Sequence, residues 1–246
     1  MLNFFSALAF LTIIRSPKQG AWEDGKKVIY LPIIGVLIGL GLWGVDSLGT
    51  VIFNPELRCA FDLIFLALIT GGLHLDGLAD SADGILAHRG REKALEIMRD
   101  SRIGVMGALV IFFCLLIKFA ALQGLGETNR WVWLIAAPAL SRTSLTIGLV
   151  FTNYARPEGG LGTGFFQKNR FNLFILTPFA LVVPFFISPL TGVFALVGFF
   201  LAVALLFSFF NRTIGGMTGD TLGATAEIIE AVIIVEGVIL SHWLTI

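Results

Sequence analysis

Residues 59–84 read CAFDLIFLALITGGLHLDGLADSADG. The run from Cys59 to Ala79 approaches the roughly 20 residues that cross a hydrocarbon core as a helix, and Asp76, Asp80 and Asp83 cluster at its end. On a helix, positions i, i+4 and i+7 fall within roughly 60° of one another, so the three aspartates share one face. Three unneutralised carboxylates there repel each other. The simplest relief is a hard divalent cation such as Mg²⁺, which takes carboxylate oxygens and commonly carries substrate phosphate in its remaining positions. A solvated helix end explains a single acid, but not three on one face beside His74. For His74 alone, a hydrogen-bonding role behind the metal ligands is the simpler reading.

The composition around this stretch fixes the class. Of 246 residues, 56 % are hydrophobic, 23 are Phe and only 14 % are charged, which is too apolar for a soluble domain of this length. The spacing of apolar runs and breakers predicts an all-α polytopic transmembrane bundle of about 7 spans, at about 28–53, 59–79, 104–125, 131–151, 172–187, 190–210 and 224–246. Residues 1–14 reach only about 21 Å as a helix, which suits a short interfacial or re-entrant helix. They carry neither a basic leader nor a small-residue cleavage site, so a cleaved signal is not expected. Cys59 and Cys114 lie in apolar runs and read as small core residues. With no repeat and no second composition regime, residues 1–246 read as one domain.

Net charge is zero, but its distribution is informative. Arg15, Lys18, Lys26 and Lys27 precede the first span. Arg89, Arg91, Lys93, Arg99 and Arg102 fill the second loop, Arg156, Lys168 and Arg170 the fourth, and Arg212 follows the sixth span. Those alternate loops hold 13 of the 17 basic residues, which makes their side cytoplasmic. The opposite loops hold Arg58 and Arg130. Within spans, Arg142 should have a partner or line a polar cavity, whereas Lys118 is expected to snorkel toward the outer surface.

Two further segments carry chemistry on the crowded side. Arg99-Asp100-Ser101-Arg102 precedes a span, and paired arginines suit bidentate phosphate contacts, although positive-inside topology alone also puts arginines there. Just before it, residues 91–99 read as a short amphipathic surface helix with Lys93 and Glu96 solvated. The segment from Asn211 and Arg212 through Gly215, Gly216 and Gly219 to Asp220 offers backbone amides that could cradle an anion at a helix entrance. Asp220 and Glu227 then share a helical face, repeating the logic of the first cluster, with Glu230 deeper in the span. Tyr154 to Gly164 is a glycine-rich connector, which reads first as a loop and second as a cover for a ligand.

The blocks GGLHLDGLADSADG (71–84), EIMRDSRIG (96–104) and GGMTGDTLGATAE (215–227), in this order, closely resemble the cobalamin synthase family of membrane ribazoletransferases. Smaller matches run through Phe10-Leu11-Thr12, Leu31 to Gly35, Ser141-Arg142, Tyr154 to Arg156 and Glu158-Gly159, so the resemblance covers essentially the whole chain. The acidic block also looks like a variant of the motif of CDP-alcohol phosphotransferases.

The resemblance implies a Mg²⁺-dependent phosphotransferase in a bacterial or archaeal cytoplasmic membrane. It would join adenosylcobinamide-GDP to α-ribazole or its 5′-phosphate and release GMP. Asp76, Asp80, Asp83 and Asp220 are then expected to hold the metal. Arg99 and Arg102 would clamp phosphate, and Asp83 or Asp220 would act as general base. His74, Asp100, Ser101, Arg142, Arg156, Asn211, Gly216, Gly219 and Glu227 are the expected substrate-binding residues. The implied partners are those substrates and the lipid bilayer, with room for a homo-oligomer or for other cobamide-assembly enzymes, and with no nucleic acid. The competing readings are an ion-coupled transporter using the intramembrane acids and a scaffold without catalysis.

Overall fold

A computed structural model describes residues 2–15, 25–156, 166 and 172–244. In chain order the helices are α1 (Leu2–Leu11), α2 (Leu31–Ile52), α3 (Pro55–Ile69), α4 (Leu73–Leu86), α5 (Arg91–Ile97), α6 (Val105–Gly124), α7 (Arg130–Phe151), α8 (Asn172–Leu181), α9 (Pro189–Ile214) and α10 (Gly219–Leu244). Short 3₁₀ turns at Gly25–Tyr30 and Val183–Phe186 precede α2 and follow α8. Local chemistry sets several starts. Asn54 caps α3 by accepting the Leu57 N–H and Ser188 caps α9 by accepting that of Thr191, each with proline as the first helical residue.

The bundle is an all-α membrane fold with α7 at its centre. In α7, 89 % of the apolar window is buried, against 22 % in α6 and in α9, which turn Phe and Leu outward to lipid. Backbones meet closely where α2 crosses α7. A Cβ at Gly35 would lie 2.5 Å from the Pro138 carbonyl oxygen, and one at Gly39 would lie 2.6 Å from Ile135 Cα. This Gly-xxx-Gly face lets packing replace the hydrophobic drive that lipid does not supply.

The span pattern departs from expectation in two places. The expected straight span 59–79 is broken, because α3 and α4 meet at 87°. Gly71 and Gly72, at φ +60° and +71°, make the corner, a conformation that a side chain would oppose. The apolar run 172–187 yields only the ten-residue α8 and a 3₁₀ turn, and ten residues rise only about 15 Å. Among the described residues, four helices are long and apolar enough to cross a membrane, five if α3 and α4 count as one. The 26 residues of α10 match α9 in length but include Glu227, Glu230 and Glu236.

Two buried ion networks tie the helices together. At the end where α7 begins, the Arg130 guanidinium donates from Nε to Asp46 Oδ1 at 2.8 Å and from Nη2 to Asp62 Oδ2 at 3.3 Å. Arg58 lies 3.3 Å from the same Asp46 oxygen and donates to both carboxylate oxygens of Glu127. The Arg58 hydrogen bond holds Glu127, in the loop between α6 and α7, below its ordinary carboxylate range. Arg58 and Arg130, expected in loops, are therefore buried links between helices.

About 18 Å further along α7, by helical rise, sits the second network. Lys118 Nζ donates to Glu227 Oε2 at 2.5 Å and Glu230 Oε1 at 2.8 Å, and Arg142 donates to the other Glu230 oxygen. Lys118 does not snorkel, because its side chain is 2 % exposed and the two acids of α10 hold it inward. Arg142 has the partner its depth demands.

Candidate active site

The carboxylates come together because α4 and α10 cross without a side chain between them. A Cβ at Gly77 would lie 2.7 Å from the backbone oxygen of Asp220. That contact brings the first turn of α10 against α4 beside Asp76 and Asp80. Asp76 is exposed and Asp80 and Asp83 are half-buried, while His74, Gly77, Leu78, Ser81 and Ala82 point inward, so α4 does present its three acids on one face. Asp80 feels the negative charges of Asp76, Asp220 and Asp83, opposed by Arg156.

The four acids play different parts. Asp83 accepts the Gly104 N–H at 2.6 Å and the Gly107 N–H at 2.8 Å, one on each oxygen. It thereby caps α6, where a carboxylate also meets the positive end of the helix dipole. Asp220 accepts from Arg156 Nη2 at 2.9 Å and from the Thr218 hydroxyl at 3.3 Å. Asp76 and Asp80 border the open space. Among the described residues, no three His, Cys, Asp or Glu side chains stand close enough to enclose a metal ion. The acidic side chains around the opening nonetheless offer carboxylate oxygens, which suit Mg²⁺, an ion that usually completes its shell with water and substrate phosphate.

Two cavities flank this opening and share Asp76. One, of about 250 Å³, is lined by apolar side chains with Lys27, His74, Asp76 and Asp220 as its charged or polar members. The other, more open at about 590 Å³, is lined by Thr70, Gly71, Asp76, Asp80, Ser101 and Ile103, among others. Ser101 and the neighbouring Asp100–Arg102 pair thus stand beside the carboxylates. Asp100 accepts from Arg102 Nη2 at 2.6 Å, and this hydrogen bond holds the Asp100 carboxyl down at about 2. Arg99 and Arg102 are both exposed there.

Other expected binding residues lie elsewhere. Glu227 is bound to Lys118 and Arg142 to Glu230, while the Arg142 guanidinium also lies 3.5 Å from His74 Nδ1. These groups link α6, α7 and α10 to His74 in the first turn of α4. Asn211 and Gly216 line a separate cavity of about 370 Å³. The glycine-rich entrance to α10 presents fewer open amides than expected. The Gly215, Met217 and Thr218 amides already donate to Asn211, Asn153 and Thr221, and Met217 accepts the Ala155 N–H. Gly219 lines the smaller cavity. Arg91, read from the sequence only as a basic residue of the second loop, donates to the Ala155 carbonyl and fastens α5 to this rim. Residues 157–164, including Glu158 and Gly159, together with Lys18, Lys168 and Arg170, lie outside the described residues.

The fold and this opening define a helical membrane bundle whose acidic and basic side chains gather around two cavities. The comparisons narrow this. Residues 3–239 match the model of the cobalamin-5-phosphate synthase family, and the chain belongs to that family. It is similar to adenosylcobinamide-GDP ribazoletransferases of Brevibacillus brevis (35 % identical, covering 99 % of each chain) and Escherichia coli (37 %, 93 % of this chain and 96 % of the relative). A third, from Roseiflexus sp., is 39 % identical over 92 % of this chain and 85 % of its own. No solved structure matches the chain. The transporter reading finds no support in these relatives.

Proposed function

We propose that this chain is an adenosylcobinamide-GDP ribazoletransferase working with Mg²⁺ at the cytoplasmic face of a prokaryotic membrane. A hydroxyl oxygen of α-ribazole or its 5′-phosphate attacks the phosphorus that bears the cobinamide. The bond from that phosphorus to the bridging oxygen breaks, and GMP leaves with that oxygen and its electron pair. Family membership supports the reaction, and the crossing that sets Asp220 of α10 beside Asp76 and Asp80 of α4 is the observation that supports its place.

The residues divide the work between them. Asp76 and Asp80, together with substrate phosphate, would hold Mg²⁺, which neutralises diphosphate charge when bound. Asp83 has both oxygens engaged by α6 amides, so Asp220 is the better acceptor for the hydroxyl proton. Arg156 and Thr218 hold Asp220 in one orientation, and a fixed base needs little reorganisation. Arg102 reaches substrate phosphate by exchanging Asp100 for a phosphate oxygen, and Arg99 stands on the same rim.

The test is GMP release by the purified protein in nanodiscs. Release is expected only with adenosylcobinamide-GDP, α-ribazole and Mg²⁺ together, and Asp80→Ala should lower it at least a hundredfold. Near-normal turnover by Asp80→Ala at saturating Mg²⁺ would remove the metal assignment. An inactive wild type that still binds both substrates would remove the reaction.

A further inference from the structure

The smaller cavity beside Asp76 has a chemistry of its own. Its walls are Phe10, Leu31, Leu145, Leu149, Phe166 and Leu222, contributed by elements from both ends of the chain, and Phe166 is itself seated 5.1 Å from the Tyr154 ring. At about 250 Å³ it falls at the small end of ligand cavities, which run from roughly 300 to 1,000 Å³. That is far too small for a corrin macrocycle. Its polar members, Asp76, Asp220, His74 and Lys27, include two of the carboxylates of the proposed site.

We infer that this cavity holds the apolar bicyclic base of the attacking riboside, with the ribose at the carboxylates and the diphosphate in the larger cavity across Asp76. The inference rests on the transferase reading and adds which substrate lies on which side. Three alternatives fit the walls less well. Guanine is also bicyclic, but it carries several donors and acceptors on its edges, and an apolar wall leaves them unpaired. A phospholipid carries two long acyl chains, and a cavity of about 250 Å³ does not hold them. The corrinoid does not fit by volume. The riboside's base has an apolar perimeter and one free ring nitrogen. The buried His74 ring, whose Nδ1 lies 3.5 Å from the Arg142 guanidinium, is the polar group in the lining that matches this nitrogen.

The assignment is tested by titrating α-ribazole, and separately GDP, into full-length protein in nanodiscs. Leu145, which is 6 % exposed on α7, is the position to change. Leu145→Trp fills the cavity and should weaken α-ribazole binding at least tenfold while leaving GDP within twofold. Leu145→Ala enlarges it and should shift preference at least fivefold toward a riboside with a tricyclic base, an outcome that general destabilisation does not produce. Unchanged α-ribazole binding in both variants overturns the inference. So does a loss confined to GDP, which would assign the cavity to guanine, or a loss confined to co-purified lipid seen by native mass spectrometry. Wild-type protein that binds α-ribazole in this cavity yet releases no GMP would refute the transferase reading alone.

Discussion

Lys118→Met should be among the most damaging single changes in the bundle, although it touches no substrate. Lys118 is 2 % exposed and binds both acids of α10, at 2.5 Å to Glu227 and 2.8 Å to Glu230. Arg142 holds the other oxygen of Glu230, so two cations face two carboxylates in a buried site. Removing the ammonium leaves one carboxylate charge uncompensated, and breaking a buried pair in this way costs roughly 3–5 kcal/mol. At about 2–4 °C per kcal/mol for a chain of this size, the midpoint should fall by roughly 6–20 °C. The double variant Lys118→Met, Glu227→Gln restores charge balance through Arg142 and Glu230. It should recover to within about 1–2 kcal/mol of the wild type, because a buried pair contributes little beyond its neutral replacement. Sodium dodecyl sulfate titration in mixed micelles, followed by fluorescence of the five tryptophans, measures both variants. Unfolding of Lys118→Met together with the wild type, or a double variant no more stable than the single one, would refute a buried, charge-compensating role for Lys118.

Three other outcomes follow from the site. Gly77→Ala places a Cβ 2.7 Å from the Asp220 carbonyl oxygen, where only backbone can yield. A displacement near 1 Å between α4 and α10 should lower GMP release about a hundredfold, and release within threefold of wild type would contradict the crossing as the organiser of the site. Asp83→Ala removes the acceptors for two α6 amides and should cost about 1–2 kcal/mol. Its folded fraction should still turn over far faster than Asp220→Asn, and the reverse order would make Asp83 the base. Asp100, held at about 2 by Arg102, contributes stability that is complete above its ordinary value near about 4 and is lost as pH falls toward about 2. The stability difference between wild type and Asp100→Asn should thus stay flat from about pH 5 to 8 and shrink below about pH 4, and a slope near neutrality would contradict the pair.

Local rules were legible in the sequence, whereas long-range pairing was not. The helical face of Asp76, Asp80 and Asp83 follows from spacing alone, and so does the surface helix before Arg99. The corner at Gly71-Gly72 was only half legible. Two glycines permit a turn, but the apolar pattern continues past them, and nothing local states that the chain bends by 87°. Lys118 was misjudged because snorkelling depends on which face of α6 meets α10, and its partners lie more than a hundred positions away in the chain. The amides of the glycine-rich entrance to α10 looked available because their acceptors, such as the Asn153 carbonyl, belong to a segment that sequence spacing does not connect to it. The cavity beside Asp76 was invisible for the same reason, since Phe10 and Leu222 share a wall only after folding.

The corner between α3 and α4 has a consequence for how a large reactant meets this protein. α4 leaves α3 at 87°, so the chain turns aside at Gly71-Gly72 instead of continuing as one straight span. From Asp76 to Asp83 its acids stand in a row of about 10 Å along α4, like mooring posts along a quay. A long diphosphate ester can lie lengthwise against that row, so that the length of the substrate fixes its direction before the reacting atoms meet.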